Sequence, residues 1–541
     1  MRKRGFVLAA LMAAVGAAVL LGNSFFESKR AVEEEQQLRE IHLGTFLEDP
    51  IAFPKGETME DNRFLDWIRE DLNIQVIYDW IYSKDEFQRN IDLYIACDML
   101  PDALLVEEAQ YRKMLEYDLL QPVTDVYQTI ASSQLKDYVE SIGEEAFETV
   151  MENGEMMAIP FPSLTASGVN VMWIRQDWLD ELGLEVPETV EEIGETADIF
   201  VKRQMGGQDT IGILGPGLDG QLVDVGKCSL GFNPVFNAYH VYPKYWIMDE
   251  QGDLVYGSIQ EGAKQALQIL ADWYQEGILD PQIFSRENSQ EVLDQGKAGI
   301  FFGPWWAAEM LEQDIAENGA VWKAYAAPRD TEGIYSCSMP AIINQYLVIS
   351  KECQDPEGVV EIVNYGIQNQ YQWVSSGMTE GVNMKAYPLG WECDFADELE
   401  YTCRILKASM SGEEIQVDFT GHKVLKQDLD MLNALNKPPL NEIGAEDWDP
   451  EKSSGFIRLY GIVNGVGAII EEEYQPVYNM FAGETETMKQ KWKELERLEN
   501  EVYAKIILGQ ESIQAFDEFV ETWKKEGGTK IEQEILKILE E

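Results

Sequence analysis

The sequence predicts an α/β protein built from at least two compact units, and three observations carry that expectation. Short apolar runs alternate with stretches of helical spacing, the pattern of βαβ units and a parallel sheet. At 541 residues the chain exceeds what a single hydrophobic core organises. Around Ala158-Ile-Pro-Phe-Pro162 the alternation breaks and then restarts, which marks a boundary between units.

Residues 1–30 read as a targeting segment. Arg2, Lys3 and Arg4 precede an uncharged, Ala/Leu/Val-rich run from Gly5 to Phe26, as in an export signal or an N-terminal anchor. Leu20-Leu21-Gly22-Asn23 has the form of a lipoprotein-processing box with Asn23 in the cysteine position, so no lipid attaches there. An uncleaved membrane anchor over 1–30 is therefore expected, with a polar tether over 31–39; cleavage would instead give a secreted protein. Either way the body lies outside the cytoplasm, at the cell surface or beyond.

The first unit opens with a strand, Ile41 to Phe46, followed by Phe64, Ile68 and Leu72 at helical spacing. A second strand, Ile74 to Tyr78, a helix from Lys84 to Cys97 and a third strand, Ala103 to Val106, complete the βαβ pattern. Ligands of open α/β sheets bind outside the carboxyl ends of the strands. The residues presented there, Phe46, Glu48, Trp80 and Glu107, are candidate ligand contacts, and Phe161 at the boundary joins them.

In the second unit a strand, Val169 to Ile174, precedes a short helix closed by Gly183. Thr189 and Glu192 then have the spacing of a capping box, in which each side chain satisfies an orphan backbone N–H. Gly215-Pro-Gly-Leu-Asp-Gly220 matches the bare G-x-G-x-x-G pattern. It lacks both a following amphipathic helix and an acidic residue about 20 positions on, so it reads as a loop and not a dinucleotide site. Trp246 before a turn, and Trp391, are further aromatic candidates.

Ala298 to Phe302 reads as a buried strand stopped at Gly303-Pro304, which delivers Trp305 and Trp306 to the strand end. A flat aromatic there suits the weakly polar C–H face of a sugar ring. If the turn stays extended, adjacent side chains point to opposite sides, one indole to the cleft and the other to the core. The C-terminal tail is helical: Met488, Trp492, Leu495, Leu498, Val502 and Ile506 step by threes and fours until Gly509. A second helix runs to Gly527-Gly528, and Thr529 with Glu532 form a second capping-box pattern.

The balance of 42 basic against 97 acidic residues excludes a basic footprint for nucleic acid. It also weighs against anionic ligands unless a local patch overrides it, for which Arg175 and Lys244 are possible sources. Six dispersed cysteines, read as free buried thiols, and three isolated histidines fit no metal or redox spacing. No P-loop, nucleophile elbow or H-E-x-x-H motif is present. No catalytic residue, cofactor or metal is therefore expected.

Five stretches, in order, resemble the extracellular solute-binding proteins (family 1) of carbohydrate-uptake ABC importers, in particular the large Gram-positive oligosaccharide-binding branch. They are Ala96-Cys-Asp-Met-Leu-Pro-Asp102, Asn153-Gly-Glu-Met-Met-Ala-Ile-Pro160, Ile174-Arg-Gln-Asp-Trp-Leu-Asp-Glu-Leu-Gly183, Gly296-Lys-Ala-Gly-Ile-Phe-Phe-Gly-Pro-Trp-Trp306, and Ile507-Leu-Gly509 with Phe516-Asp517 and Trp523 to Gly528. The resemblance implies a two-lobe, periplasmic-binding-protein-like (type II) α/β fold with hinge strands and a helical C-terminal extension. It divides the chain into an N-terminal lobe, 40–163 plus 330–385, and a C-terminal lobe, 164–329 plus 386–541. It implies a stacking role for Trp305 and ligand contacts for Asp219 and Gln221. The relatives' calcium-like loop is reduced here to Gly206-Gly-Gln-Asp-Thr-Ile-Gly212, so no metal is expected there. The function implied is an extracytoplasmic receptor that hands an oligosaccharide to ABC permease subunits. A surface sugar sensor and a glycan-active enzyme are the alternatives.

Overall fold

The computed structural model describes residues 38–540, except 48–50, 52, 219–220, 224–229, 250, 391–392, 415, 420, 436–441, 445–446 and 450–452. The expected targeting segment over 1–30 lies outside the described residues, as does most of the tether. Among the described residues no helix is long and apolar enough to cross a membrane. The first lobe begins at Arg39, inside the expected tether, because its guanidinium is ion-paired with Asp355 and Glu361, each at 2.6 Å.

Two lobes form, each around its own sheet. The first sheet has five strands in the order Ile74–Ser83, Arg39–Leu47, Ala103–Val106, Ile343–Ile349, Ile159–Pro162. The first three are parallel, as the βαβ pattern requires, but Ile343–Ile349 runs antiparallel to both its neighbours. The sheet is therefore mixed. The second sheet has the order Trp322–Tyr325, Val171–Arg175, Ala298–Gly303, Ile211–Ile213, and it too is mixed. The three strands of the expected βαβ pattern are parallel, and the antiparallel member Ile343–Ile349 enters the sheet only after the chain has crossed to the second lobe and back.

The cores follow the same division. One apolar cluster takes residues from Ile41 to Phe161 and from Ile343 to Cys393, and two others take the second lobe with its tail. Tyr335–Met339, expected in the first lobe, pairs with Tyr474–Tyr478 and packs in the second. Ala386, Tyr387, Leu389 and Cys393, expected in the second, pack in the first. Three crossings join the lobes near residues 163, 341 and 395. They are tied by Ser163 N–H to the Ile342 carbonyl at 2.9 Å and Thr165 N–H to the Ala396 carbonyl at 2.8 Å.

Local signals held where they were strong. The Thr189–Glu192 capping box forms at both hydrogen bonds, and Gly183 closes its helix in the left-handed region. The tail folds as helices Met488–Ile507, Ala515–Trp523 and Thr529–Glu540. Gly527, at φ 155° and ψ −21°, breaks the backbone between the last two helices, and Thr529 beyond it already has helical angles, not the extended ones of the expected cap residue. Of the described cysteines, Cys337, Cys353, Cys393 and Cys403 are buried free thiols, whereas Cys97 is exposed.

Candidate functional site

The carboxyl ends of strands from both lobes meet at a cavity of about 690 Å³. The first lobe contributes Phe46, Glu107 and Pro162, each at or just beyond a strand end, and the second contributes Trp305. Lys385, Asp394, Glu398, Lys423 and Arg458 are among the residues that complete the cavity wall. A larger but separate cavity of about 920 Å³ lies on the second lobe alone. Ion pairs Lys323–Glu442 and Arg329–Glu472 engage its charged walls. It does not touch the first lobe.

Trp305 is held from behind. Ala298–Gly303 is buried throughout, and Pro304 leads from it into a 3₁₀ turn, Trp305–Leu311. That turn replaces the extended geometry the sequence suggested, so strict alternation between cleft and core does not apply to the two indoles. A Cβ on Gly465 would lie 2.7 Å from Trp305 Cα, and one on Gly461 would lie 2.7 Å from the Trp305 carbonyl oxygen. Only glycine at these positions lets the helix approach so closely. Gly465 belongs to a π-helical turn, Ile462–Val466, a distortion often found at functional sites. The Arg458 guanidinium stands 5.7 Å from the centre of the Trp305 ring, within cation–π range. Arg458 is in turn gripped by buried Asp428 at 2.9 and 3.1 Å. The Trp305 indole N–H has no hydrogen-bond partner among the described residues.

Next to Trp305 lie a buried ion pair and a buried histidine–carboxylate contact. Lys423 Nζ bonds Asp394 at 2.8 Å, and His422 Nδ1 lies 2.6 Å from Glu398. Burial pushes the Asp394 carboxyl up to about 6 against the opposing pull of Lys423. Each acid keeps one oxygen unpartnered, Oδ1 of Asp394 and Oε1 of Glu398. Such unpaired buried polar atoms are uncommon and costly. Sequence reasoning missed Asp394, Glu398, Lys423 and Arg458, for none sits in a motif or at a recognisable strand end.

The sequence candidates divide into three groups. Phe46, Glu107 and Trp305 line the cavity; Phe46 is stacked on Phe87 at 4.7 Å. Glu48, Asp219 and Trp391 lie outside the described residues, although Leu47 and Gly390 beside two of them line the cavity. The rest are placed elsewhere. Trp80 packs over Gly44, stacked on Tyr82 at 5.1 Å, because the missing Cβ of Gly44 leaves room for the indole. Phe161 points into the first core, and Trp246 is sandwiched in the second by Tyr256, Trp492 and Trp523. Trp306 is half-buried and Gln221 bonds Lys244; neither lines the cavity. Arg175 is a core cation, bidentate to Asp177 and 4.5 Å over the Trp178 ring, so it offers no basic patch to the cleft.

Comparison with known proteins decides the family. The model of the bacterial extracellular solute-binding proteins matches residues 73–373, more than half of the chain. The chain belongs to that family. As a solute-binding protein it is 23% identical over 367 residues to the polygalacturonan/rhamnogalacturonan-binding protein YtcQ of Bacillus subtilis, covering 67% of this chain and 66% of YtcQ. It is 21% identical over 245 residues to the fructooligosaccharide ABC transporter substrate-binding protein FusA of Streptococcus pneumoniae, covering 41% of this chain and 43% of FusA. The alignments thus span just under two thirds of one curated relative and less than half of the other. In fold it is similar to an extracellular solute-binding protein from Bifidobacterium longum subsp. infantis. That likeness has a TM-score of 0.58 at 13% identity and covers 92% of this chain and 97% of the other.

Proposed function

We propose that this solute-binding protein is an extracytoplasmic receptor that holds an oligosaccharide between its lobes and delivers it to the permease of an ABC importer. The observation that carries the reading is the cavity at converging strand ends. Trp305 stands on one wall with its backbone locked and its indole N–H unpartnered. An indole offers a flat apolar face to a pyranose, and Phe46 offers a second aromatic from the opposite lobe. Glu107, Asp394 and Glu398 supply acceptors for hydroxyls; Glu48 and Trp391, adjoining cavity residues in sequence, are proposed as further contacts. Closure of the lobes about the three crossings buries the sugar, and the closed form docks on the permease. The protein performs no chemistry on its ligand. The apolar run from Gly5 to Phe26 behind three basic residues supports an N-terminal membrane anchor as the tether to the cell surface.

Calorimetry of the full chain against a panel of oligosaccharides tests the reading. Saturable binding of one class, with the sugar recovered intact, is expected. Cleavage of a panel member would establish an enzyme instead, and a panel that leaves the protein unbound would remove the receptor assignment.

A further inference from the structure

Resting on the receptor reading, we infer that Asp394 and Glu398 form the specificity anchor of the cleft, a fixed pair of carboxylate acceptors that selects a neutral sugar through its hydroxyls. Both acids line the cavity, and both are more than nine-tenths buried, at 7% and 3% exposure. They flank the third crossing, Asp394 before it and Glu398 as the first residue of helix Glu398–Met410. Oδ1 of Asp394 and Oε1 of Glu398 have no hydrogen-bond partner among the described residues. A buried carboxylate oxygen without a donor is costly, and a sugar hydroxyl supplies the donor that the protein withholds. Hydrogen bonds to an ionised acceptor are among the stronger ones a neutral ligand can make.

The second oxygen of each acid fixes its plane. Lys423 Nζ holds Asp394 Oδ2 at 2.8 Å, and His422 Nδ1 lies 2.6 Å from Glu398 Oε2. Both partners come from one loop, between helices Glu398–Met410 and Leu425–Leu435, and that loop is itself tied down. The Tyr138 hydroxyl of the first lobe donates to the Gly421 carbonyl at 2.5 Å, and the His422 ring stacks on Tyr401 at 4.5 Å. The cations of the cavity wall are committed. Lys423 is paired with Asp394 and Arg458 with buried Asp428, while Lys84 and Lys385 also engage partners. A sugar carboxylate would set its charge against two oxygens that lack a donor, whereas a hydroxyl satisfies them.

The anchor couples binding to protons. Around Asp394 stand Lys423 and His422 from the loop, Glu398 from the helix, Cys393 beside it in the chain and Tyr138 from the first lobe. Burial raises the Asp394 carboxyl to about 6 against the pull of Lys423. A donated hydroxyl favours the ionised form, so the bound sugar lowers that value and binding releases a proton. Affinity is therefore retained at neutral pH and lost as pH falls through about 6.

The test is calorimetry of the full chain with neutral gluco-, xylo- and fructo-oligosaccharides and with oligogalacturonate, in buffers of different ionisation enthalpy. A neutral sugar is expected to bind most tightly and to release protons as it binds. Its affinity should fall about tenfold between about pH 7.5 and about pH 5. Asp394→Asn alone would strand Lys423, so Asp394→Asn/Lys423→Gln removes the pair together. That variant should bind the sugar at least about tenfold more weakly at neutral pH and lose the pH dependence. Glu398→Gln, which keeps the side-chain shape, should weaken binding and retain the pH dependence. The parent's proton count and Glu398→Gln decide the matter even where the double variant does not fold. Tightest binding of oligogalacturonate, neutral-sugar binding without proton release, or variants with the parental affinity and pH profile would overturn the anchor and leave the receptor reading standing. Binding of no sugar in the panel would overturn both.

Discussion

Trp246 and Trp305 are both aromatic candidates of the sequence, and they end in different situations. Trp246 is the first residue of a short strand, Trp246–Met248, paired with Leu254–Tyr256. Its indole lies 5.0 Å from Tyr256 and 6.2 Å from Trp523, the latter brought in by the C-terminal helices. Trp305 follows a proline at the far end of a buried strand, and Gly461 and Gly465 lie close against its backbone. Aromatic neighbours enclose the Trp246 indole, whereas Trp305 is only half-buried, packs on the third apolar cluster and lines the cavity. The amphipathic tail needed a core, and Trp246 became part of it. One tryptophan is packed into the second core, and the other lines the cavity between the lobes.

The largest effect that sharpens the contrast is on folding. Trp246→Ala removes a fully enclosed indole and is expected to cost about 3–5 kcal/mol of second-lobe stability in chemical denaturation. Ligand affinity of the folded fraction should be unchanged; an affinity loss as large as that of a Trp305 variant would erase the distinction. Gly465→Ala comes next. Its new Cβ collides with Trp305 Cα, and overpacking of this kind costs roughly 1–3 kcal/mol. Because the displaced atom belongs to the platform, sugar affinity should fall as well. A stable variant with unaltered affinity would show that Trp305 is not positioned from behind.

The smallest effect concerns pH. Glu499 sits in the tail beside Tyr256, part of the Trp246 cluster, with the Tyr256 hydroxyl donating to it at 3.1 Å. Burial pushes its carboxyl from the usual 4.5 up to about 7. The folded state therefore binds a proton that the unfolded chain has released between those values. Its contribution to stability is full below the unfolded value and is lost as pH rises through the folded one. Glu499→Gln should flatten this decline between pH 5 and 7, measured as thermal midpoints, and leave sugar binding unchanged. An unaltered slope would place the proton elsewhere.

Much of the fold was legible because it rests on local spacing. Helix 84–96, the strand Ala103–Val106 and the Thr189 cap appear where alternation and capping chemistry put them. The second strand runs on to Ser83, past the expected end at Tyr78, because Asp79 and its aromatic neighbours conceal the continued pairing with Gly44–Leu47. The register shift at Leu43/Gly44 accompanies the place where Trp80 fits over the glycine. The candidate site was half legible. Phe46, Glu107 and Trp305 stand at strand ends, where alternation can point. Asp394, Lys423 and Arg458 reach the cavity only because the chain crosses between lobes a third time, a tertiary event with no periodic trace. The packing of Tyr335–Met339, expected in the first lobe, was hidden for the same reason, since its partner strand Tyr474–Tyr478 lies far along the chain, Tyr335 opposite Tyr474.

The most direct measurement is calorimetric titration of Trp305→Ala with the oligosaccharide that the parent chain binds most tightly. The account predicts that affinity drops by more than about tenfold while the thermal midpoint stays close to that of the parent. A folded variant that binds the same sugar with undiminished affinity would contradict it.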